Sequence, residues 1–163
     1  MPHPVDVTTP SDLEIRVVRV FDAPRDLVWD CHTRPELVKR WLLGPPGWSM
    51  PVCEMDLREG GSYRWRWRSE ADGSEFGFRG EYLEVAAPER IVHTERVDGG
   101  EAEGGEAVCT LELAVEDGRT VLAHSMRFAS REARDGALAT GMTDGMAMSY
   151  DRLEQVMAEH APA

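Results

Sequence analysis

The sequence contains few cysteines, no paired-cysteine motif and no clustered metal ligands. Cys31, Cys53 and Cys109 lie far apart in 163 residues, which suits neither a disulfide framework nor a metal site of the paired-cysteine type. We interpret them as small buried hydrophobic residues. HExxH and carboxylate-cluster patterns, Gly-rich phosphate loops and GxSxG are also absent, so we expect no metal and no cofactor.

Basic residues are also few relative to acidic ones. Lys and Arg together number 18 against 30 Asp and Glu, and the formal net charge of −12 would repel a nucleic-acid backbone. No apolar run approaches the ~20 residues of a membrane-spanning helix. The N-terminus lacks a basic stretch followed by an apolar one. We therefore expect a cytoplasmic protein with no nucleic-acid partner and no membrane insertion.

The chain length fits one domain with one core. Residues 1–12 carry three prolines and little that could pack, which predicts a flexible N-terminal tail followed by a single domain over 13–160. Leu13–Phe21 alternates polar with apolar residues and predicts a first strand. Helix starts at Pro24 and Pro35 then predict two short helices.

Six further strand-like runs follow, separated by turn residues, as in an antiparallel meander. They cover residues 50–57, 63–68, 76–85, 90–97, 109–115 and 121–128, with a glycine-rich loop at 99–105. Apolar residues then recur at helical spacing from Ser130 to Glu159 and predict one long C-terminal helix. Its glycines, Gly136, Gly141 and Gly145, each cost about 1 kcal/mol relative to alanine, which indicates close packing or a bend.

Aromatic residues alternate with arginines from Tyr63 to Arg68, so three rings share one face of a strand and three arginines the other. Such rings beneath a helix that carries methionines favour a pocket for flat or irregular apolar molecules. The alternative interpretation is a filled core. The predicted ligand-binding residues are Trp29, Trp41, Tyr63, Trp65, Trp67, Phe76, Phe78, Tyr82, Met126, Phe128, Leu138, Met142 and Met146.

Three polar residues are candidates for catalysis. His93 and Glu95 lie two apart on one predicted strand, and His124 aligns with the apolar positions of another. An imidazole near a carboxylate can act as a general base or can orient a polar group of a ligand. The alternatives are exposure at an edge and a satisfied histidine in the core.

Several segments resemble one known family, in matching order along residues 13–160. They are Phe21–Trp29, Arg40–Leu42, Gly80–Val85, Pro88–Glu95, Gly118–Thr120 and Gly141–Met146. The chain thus resembles homologues of the C-terminal domain of the 90-kDa heat-shock protein ATPase activator, within the SRPBCC or START-like (Bet v-like) superfamily. The resemblance implies an α+β helix-grip fold, in which a seven-stranded curved antiparallel sheet wraps around a long C-terminal helix.

The superfamily implies more than one function, because its members include lipid carriers, hormone receptors, polyketide cyclases and chaperone activators. Our leading hypothesis is non-catalytic binding of a small hydrophobic molecule, such as a lipid or an aromatic or polyketide-like compound, between sheet and helix. The alternatives are a cyclase or hydrolase that uses His93, Glu95 and His124, and a chaperone-associated cofactor. Formation of a homodimer stays open.

Overall fold

The fold is that of a computed structural model, which describes residues 3–98 and 105–160. The strands are β1 (Asp6–Thr8), β2 (Glu14–Phe21), β3 (Trp48–Met55), β4 (Ser62–Ser69), β5 (Glu75–Ala86), β6 (Arg90–Val97), β7 (Ala107–Glu116) and β8 (Arg119–Arg127). The helices are α1 (Arg25–Thr33), α2 (Pro35–Trp41), α3 (Arg131–Ala139) and α4 (Met142–His160). Residues 99–104 of the predicted glycine-rich loop lie outside the described residues.

One antiparallel sheet contains the eight strands, in the order β1-β2-β8-β7-β6-β5-β4-β3. The α+β antiparallel architecture is therefore confirmed, with one strand more than predicted. The added strand, β1, lies inside the predicted tail and pairs Asp6 with Val18 of β2. The free edge of β2 gives these three residues backbone hydrogen-bond partners, which compensates for their few apolar contacts.

The helices cover one face of the sheet, and alternation along the strands determines which side chains this face receives. In β2 the buried positions are every second residue, Ile15, Val17, Arg19 and Phe21. Pro35 is the first residue of α2, where its missing N–H has no intrahelical partner to lose. The helices pack Val28 and Trp41 into the same core as the inward residues of the sheet.

The C-terminal helical segment is two helices rather than the single one predicted. Helix α3 ends at Ala139 and α4 begins at Met142, and Gly141 between them has a φ of +80°. Most residues avoid this left-handed region because the Cβ atom approaches the following carbonyl, and glycine has no Cβ. The bend expected from the glycine content is therefore located at Gly141.

A buried arginine connects the sheet to α4. Arg19 is 1% exposed, and its two terminal nitrogens donate to Asp151 at 3.1 Å and to Glu154 at 2.8 Å. Its guanidinium also lies 5.0 Å from the ring centroid of Phe21. A buried cation is costly unless paired, so these carboxylates determine where α4 can lie on β2.

The break at Gly141 gives a paired prediction. Gly141→Ala should lower the free energy of unfolding by about 1 kcal/mol, because alanine resists the positive φ. Gly136→Ala, inside α3, should raise it by about 0.5–1 kcal/mol through helix propensity. An added Cβ meets no atom within 4 Å at either site, so packing does not confuse the comparison. Equal effects in urea titrations of both variants would contradict this account of the break.

The Arg19 ion pairs give a second prediction. Glu154→Ala should lower the free energy of unfolding by about 1–2 kcal/mol, because a buried guanidinium loses one of its two charged acceptors. Glu159 is on α4, like Glu154, but its ion pair with Arg40 of α2 is exposed, so Glu159→Ala should cost less than about 1 kcal/mol. Thermal and urea unfolding of the two variants measure the difference. Losses of the same size would show that burial of Arg19 is unimportant.

Candidate functional site

Pairing of β4 with β5 assembles the predicted aromatic residues on one face of the sheet. Trp65 lies opposite Phe78, and Trp67 lies opposite Phe76. The ring centroids of Trp67 and Phe76 are 5.2 Å apart and stacked, and those of Trp67 and Phe78 are 5.7 Å apart. The rings therefore form a continuous row across two strands.

One end of this row belongs to a separate cluster beneath α2. Trp67 packs with Val38 and Met50 there, and its Nε1 donates to the carbonyl of Leu42 at 2.6 Å. Phe76 is 44% exposed, which differs from its predicted position in the pocket. Phe76 lies near the start of β5, where its ring contacts Trp48 and Trp67 but belongs to neither core cluster. These two rings therefore lie away from α3 and α4.

The other end of the row is a cluster of rings around Tyr63. The ring centroid of Tyr63 lies 4.5 Å from that of Trp65, 5.0 Å from His93 and 5.5 Å from Tyr82. Its hydroxyl donates to the carbonyl of Thr94 at 2.6 Å. His93 Nδ1 lies 3.1 Å from the same hydroxyl, so the imidazole N–H donates to it. Burial lowers the pKa of His93, which keeps this imidazole neutral.

Two polar atoms of this ring cluster lack partners. In the part of the chain that the structure describes, Trp65 Nε1 and the Tyr82 hydroxyl are buried without a hydrogen bond. A buried donor left unsatisfied costs about 1–3 kcal/mol. The indole N–H of Trp41 is satisfied, since it donates to the Cys31 carbonyl at 2.8 Å. Among the described residues, the Nε of Arg19 on the same face of the sheet is a third buried donor without a partner.

Beyond the rings, the same face carries Glu95 and His124. Both side chains are partly exposed. Even so, burial is the main reason why the pKa of Glu95 and the pKa of His124 differ from their usual values. Burial raises the pKa of Glu95 and lowers the pKa of His124 to about 3, with the neighbouring imidazoles of His93 and His32 adding to the latter. Both side chains lie on the inward face of the sheet, and we call the region between this face and the partly buried residues of α3 and α4 the recess.

Helices α3 and α4 provide the wall opposite the sheet. Their residues Leu138, Met142 and Met146 are partly buried and pack against the main core, as does Phe128 at the end of β8. Met126 is fully enclosed in that core. The wall nearest the bend at Gly141 therefore consists of flexible apolar side chains.

Trp29 and Trp41, which were among the predicted ligand-binding residues, lie in the core between α1, α2 and α4. Both are almost completely buried. The ring of Trp41 stacks on Tyr150 at 6.0 Å and meets the ring of His32 at 4.8 Å. The hydrogen bond of its indole to Cys31 leaves no free donor, so Trp41 acts in packing the helices.

The three catalytic candidates share the recess face but do not form a network. Within residues 3–98 and 105–160, no hydrogen bond joins His93, Glu95 and His124 to one another. Glu95 instead accepts from the thiol of Cys109 at 3.2 Å, and burial raises the pKa of that thiol well above its usual value. Such a thiol is a poor nucleophile. In this geometry His93 contacts Tyr63 and Glu95 contacts Cys109, rather than each other.

Sequence reasoning missed the environments of two residues, Cys109 and His32. Cys109 alternates with Leu111 and so was expected to face inward, but its contact with Glu95 depends on the register of β6 with β7. His32 bonds the Val28 carbonyl at 2.8 Å, and burial lowers its pKa to about 4. The position of His32 near a helix end did not predict that its side chain would be buried and hydrogen-bonded.

The cysteines and the other possible metal ligands remain apart. Cys31 and Cys109 are fully buried, while Cys53 is partly so. Among the described residues, no three His, Cys, Asp or Glu side chains approach closely enough to hold a metal ion. No helix of the described ranges has the length and apolar composition needed to cross a bilayer.

The curved antiparallel sheet, the two short helices after its first long strand and the C-terminal helices define a helix-grip protein. A family model confirms the resemblance seen in the sequence. The chain belongs to the family of Activator of Hsp90 ATPase homolog 1-like proteins, whose model matches residues 22–158. A search of curated proteins found no match.

Solved structures share the fold over nearly the whole chain. A protein from Rhodobacter sphaeroides is 30% identical with a TM-score of 0.88, and the match covers 96% of this chain and 99% of that one. A protein from Chromobacterium violaceum is 27% identical, with a TM-score of 0.79 and coverages of 90% and 98%. One from Nitrosomonas europaea is 25% identical, with a TM-score of 0.82 and coverages of 93% and 98%. Their descriptions name no ligand or activity.

The recess histidine gives a prediction about pH. Since the pKa of His124 is about 3 when folded and near 6.5 when unfolded, only the unfolded chain gains a proton between these values. Stability should therefore fall as the pH is lowered from 7 to 4.5. In His124→Gln the loss should be smaller by on the order of 2–3 kcal/mol. Urea titrations at the two pH values measure it, and parallel losses would show that folded His124 is protonated.

Proposed function

We propose that this protein binds a small apolar molecule in the recess between the sheet and helices α3 and α4. The observation that carries the proposal is a pair of buried, unsatisfied donors, Trp65 Nε1 and the Tyr82 hydroxyl, within a cluster of aromatic rings. Core residues normally satisfy their polar atoms, because an unpaired donor opposes folding. A ligand that supplies an acceptor would remove this penalty.

The composition of the recess supports an apolar ligand. The rings of Tyr63 and Trp65 form one side, and Leu138, Met142 and Met146 form the other. Methionine side chains adapt to irregular shapes because they are unbranched and polarisable. The break at Gly141 lies between Leu138 and Met142, so α3 and α4 can adjust separately around a bound molecule.

The enzyme hypothesis receives less support. It requires His93, Glu95 and His124 to act together on a ligand, and hydrogen bonds instead direct His93 to Tyr63 and Glu95 to Cys109. Both imidazoles are neutral, and neither is oriented by a carboxylate in the described residues. The chaperone cofactor, the homodimer and the cytoplasmic location stay predictions from the sequence.

A binding experiment with a matched pair of variants tests the proposal. We expect 2-acetylnaphthalene, an apolar ring system with one carbonyl, to bind the wild-type protein in a reverse calorimetric titration. Met142→Trp should fill the recess and weaken binding at least tenfold. Met148→Trp adds the same ring on α4 at a side chain that is 44% exposed, and should bind as the wild type does.

Two outcomes would count against binding in the recess. Failure of the wild-type protein to bind the naphthalene probe would contradict an apolar site. Equal weakening by Met142→Trp and Met148→Trp would place the site elsewhere. Circular dichroism of both variants checks that each retains the fold.

A further inference from the structure

We infer that a surface groove beside the end of β7 binds the C-terminal residue of an extended peptide. The groove has a volume of about 450 Å³ and lies between the start of α1, the β5–β6 turn and the last residues of β7. It shares no residue with the recess, so this inference is independent of the proposed function. The residues that line the groove are Arg25, Glu89, Arg90, Glu112, Leu113, Ala114 and Val115.

The groove contains an open stretch of strand edge. β6 begins at Arg90, which pairs with Glu112, so β7 extends beyond its neighbour. The N–H of Leu113 donates to the Glu89 carbonyl at 2.9 Å, toward the β5–β6 turn. Backbone groups two residues apart in a strand point the same way, so the N–H and C=O of Val115 face the groove. In the described part of the chain no strand lies opposite Val115 on this side, and another backbone can pair there.

The β5–β6 turn determines which part of a peptide can pair with this edge. The Glu89 carbonyl already occupies the position opposite Leu113. A peptide that pairs antiparallel with β7 at Val115 therefore cannot continue along the strand in that direction. Its last residue can donate its N–H to the Val115 carbonyl and can accept the Val115 N–H with its carboxylate. The geometry thus favours a chain end over the middle of a strand.

Arg25 supplies a cation for that carboxylate. Its guanidinium lies 3.6 Å from Glu89, whose side chain is 64% exposed, whereas the side chain of Arg25 is 29% exposed. A charge-assisted hydrogen bond between such groups is shorter, about 2.7–2.9 Å. Arg25 can therefore pair with a carboxylate in the groove while Glu89 turns toward solvent. Arg90 is less available, because it contacts both Glu84 and Glu112.

The floor of the groove favours an apolar last residue. Val115 is 54% exposed, although it lies on the same face of β7 as Leu113, which is buried. A side chain directly opposite Val115 on a neighbouring strand would point to that face as well. An apolar side chain of the peptide would then cover Val115 and remove its surface from water.

Three short peptides test the site and the direction of binding. They are acetyl-glycyl-threonyl-valine with a free carboxylate, the C-terminal amide of the same peptide, and valyl-threonyl-glycine amide, which presents a free ammonium instead. We expect the acid to bind with a Kd on the order of 1 mM, about fivefold more tightly than either of the others.

Nuclear magnetic resonance titrations of the backbone amides locate the bound peptide. The Val115 amide should move downfield with the acid, and the amide of Thr120, across the β7–β8 hairpin, should move much less. Equal affinities of acid and amide, or tightest binding of the ammonium peptide, would contradict the inference. So would the absence of a shift at Val115 with about 10 mM acid.

Variants of the charged groups give effects of opposite sign. Arg25→Gln should weaken binding of the acid about fivefold and leave the amide unchanged. Arg34→Gln is the matched control, because Arg34 follows the other end of α1 and pairs with Asp30 outside the groove. Glu89→Gln removes the carboxylate that competes for Arg25 and should tighten binding of the acid about twofold. Equal weakening by Arg25→Gln and Arg34→Gln, or failure of Glu89→Gln to tighten binding, would overturn the role of Arg25.

Discussion

Burial of one face of the sheet removes water from every side chain that points toward the helices, and charge is costly there. The buried guanidinium of Arg19 is paired with Asp151 and Glu154, which approach it from α4. His93, Glu95 and His124 have no such counter-ion, and their pKa values shift in the directions that favour the neutral forms. The pairing of Arg19 with α4 and the directions of these pKa shifts therefore have the same physical origin, the cost of burying charge.

On this buried face some polar side-chain atoms have hydrogen-bond partners and others have none. The difference separates structural residues from candidate binding residues. The indoles of Trp41 and Trp67 donate to backbone carbonyls and hold the short helices against the core. Tyr63 donates to Thr94 in the neighbouring ring cluster. In the described residues, Trp65 Nε1 and the Tyr82 hydroxyl lack partners. The tryptophans of this face thus divide into two that donate to backbone carbonyls and one whose indole N–H is unpaired.

Much of this architecture could be predicted from the sequence, because alternation reports directly on the faces of a strand. The inward orientation of Tyr63, Trp65 and Trp67 follows from their spacing. The exposure of Phe76 does not follow from its spacing, because it depends on which elements pack over the start of β5. Three glycines indicated a bend in the C-terminal helix, but which one adopts a positive φ depends on how α3 and α4 pack. The three residues of β1 carried too little apolar pattern to predict a strand.

The sequence by itself determined the family, the antiparallel architecture and the face to which each strand residue belongs, since these depend on local periodicity and on ordered motifs. The tertiary structure alone decided which polar groups are paired. Partners such as Arg19 and Asp151 are 132 residues apart, and the contact between Glu95 and Cys109 depends on strand register. Hydrogen bonds form only within about 3 Å, and sequence spacing does not fix the separation of distant segments on that scale.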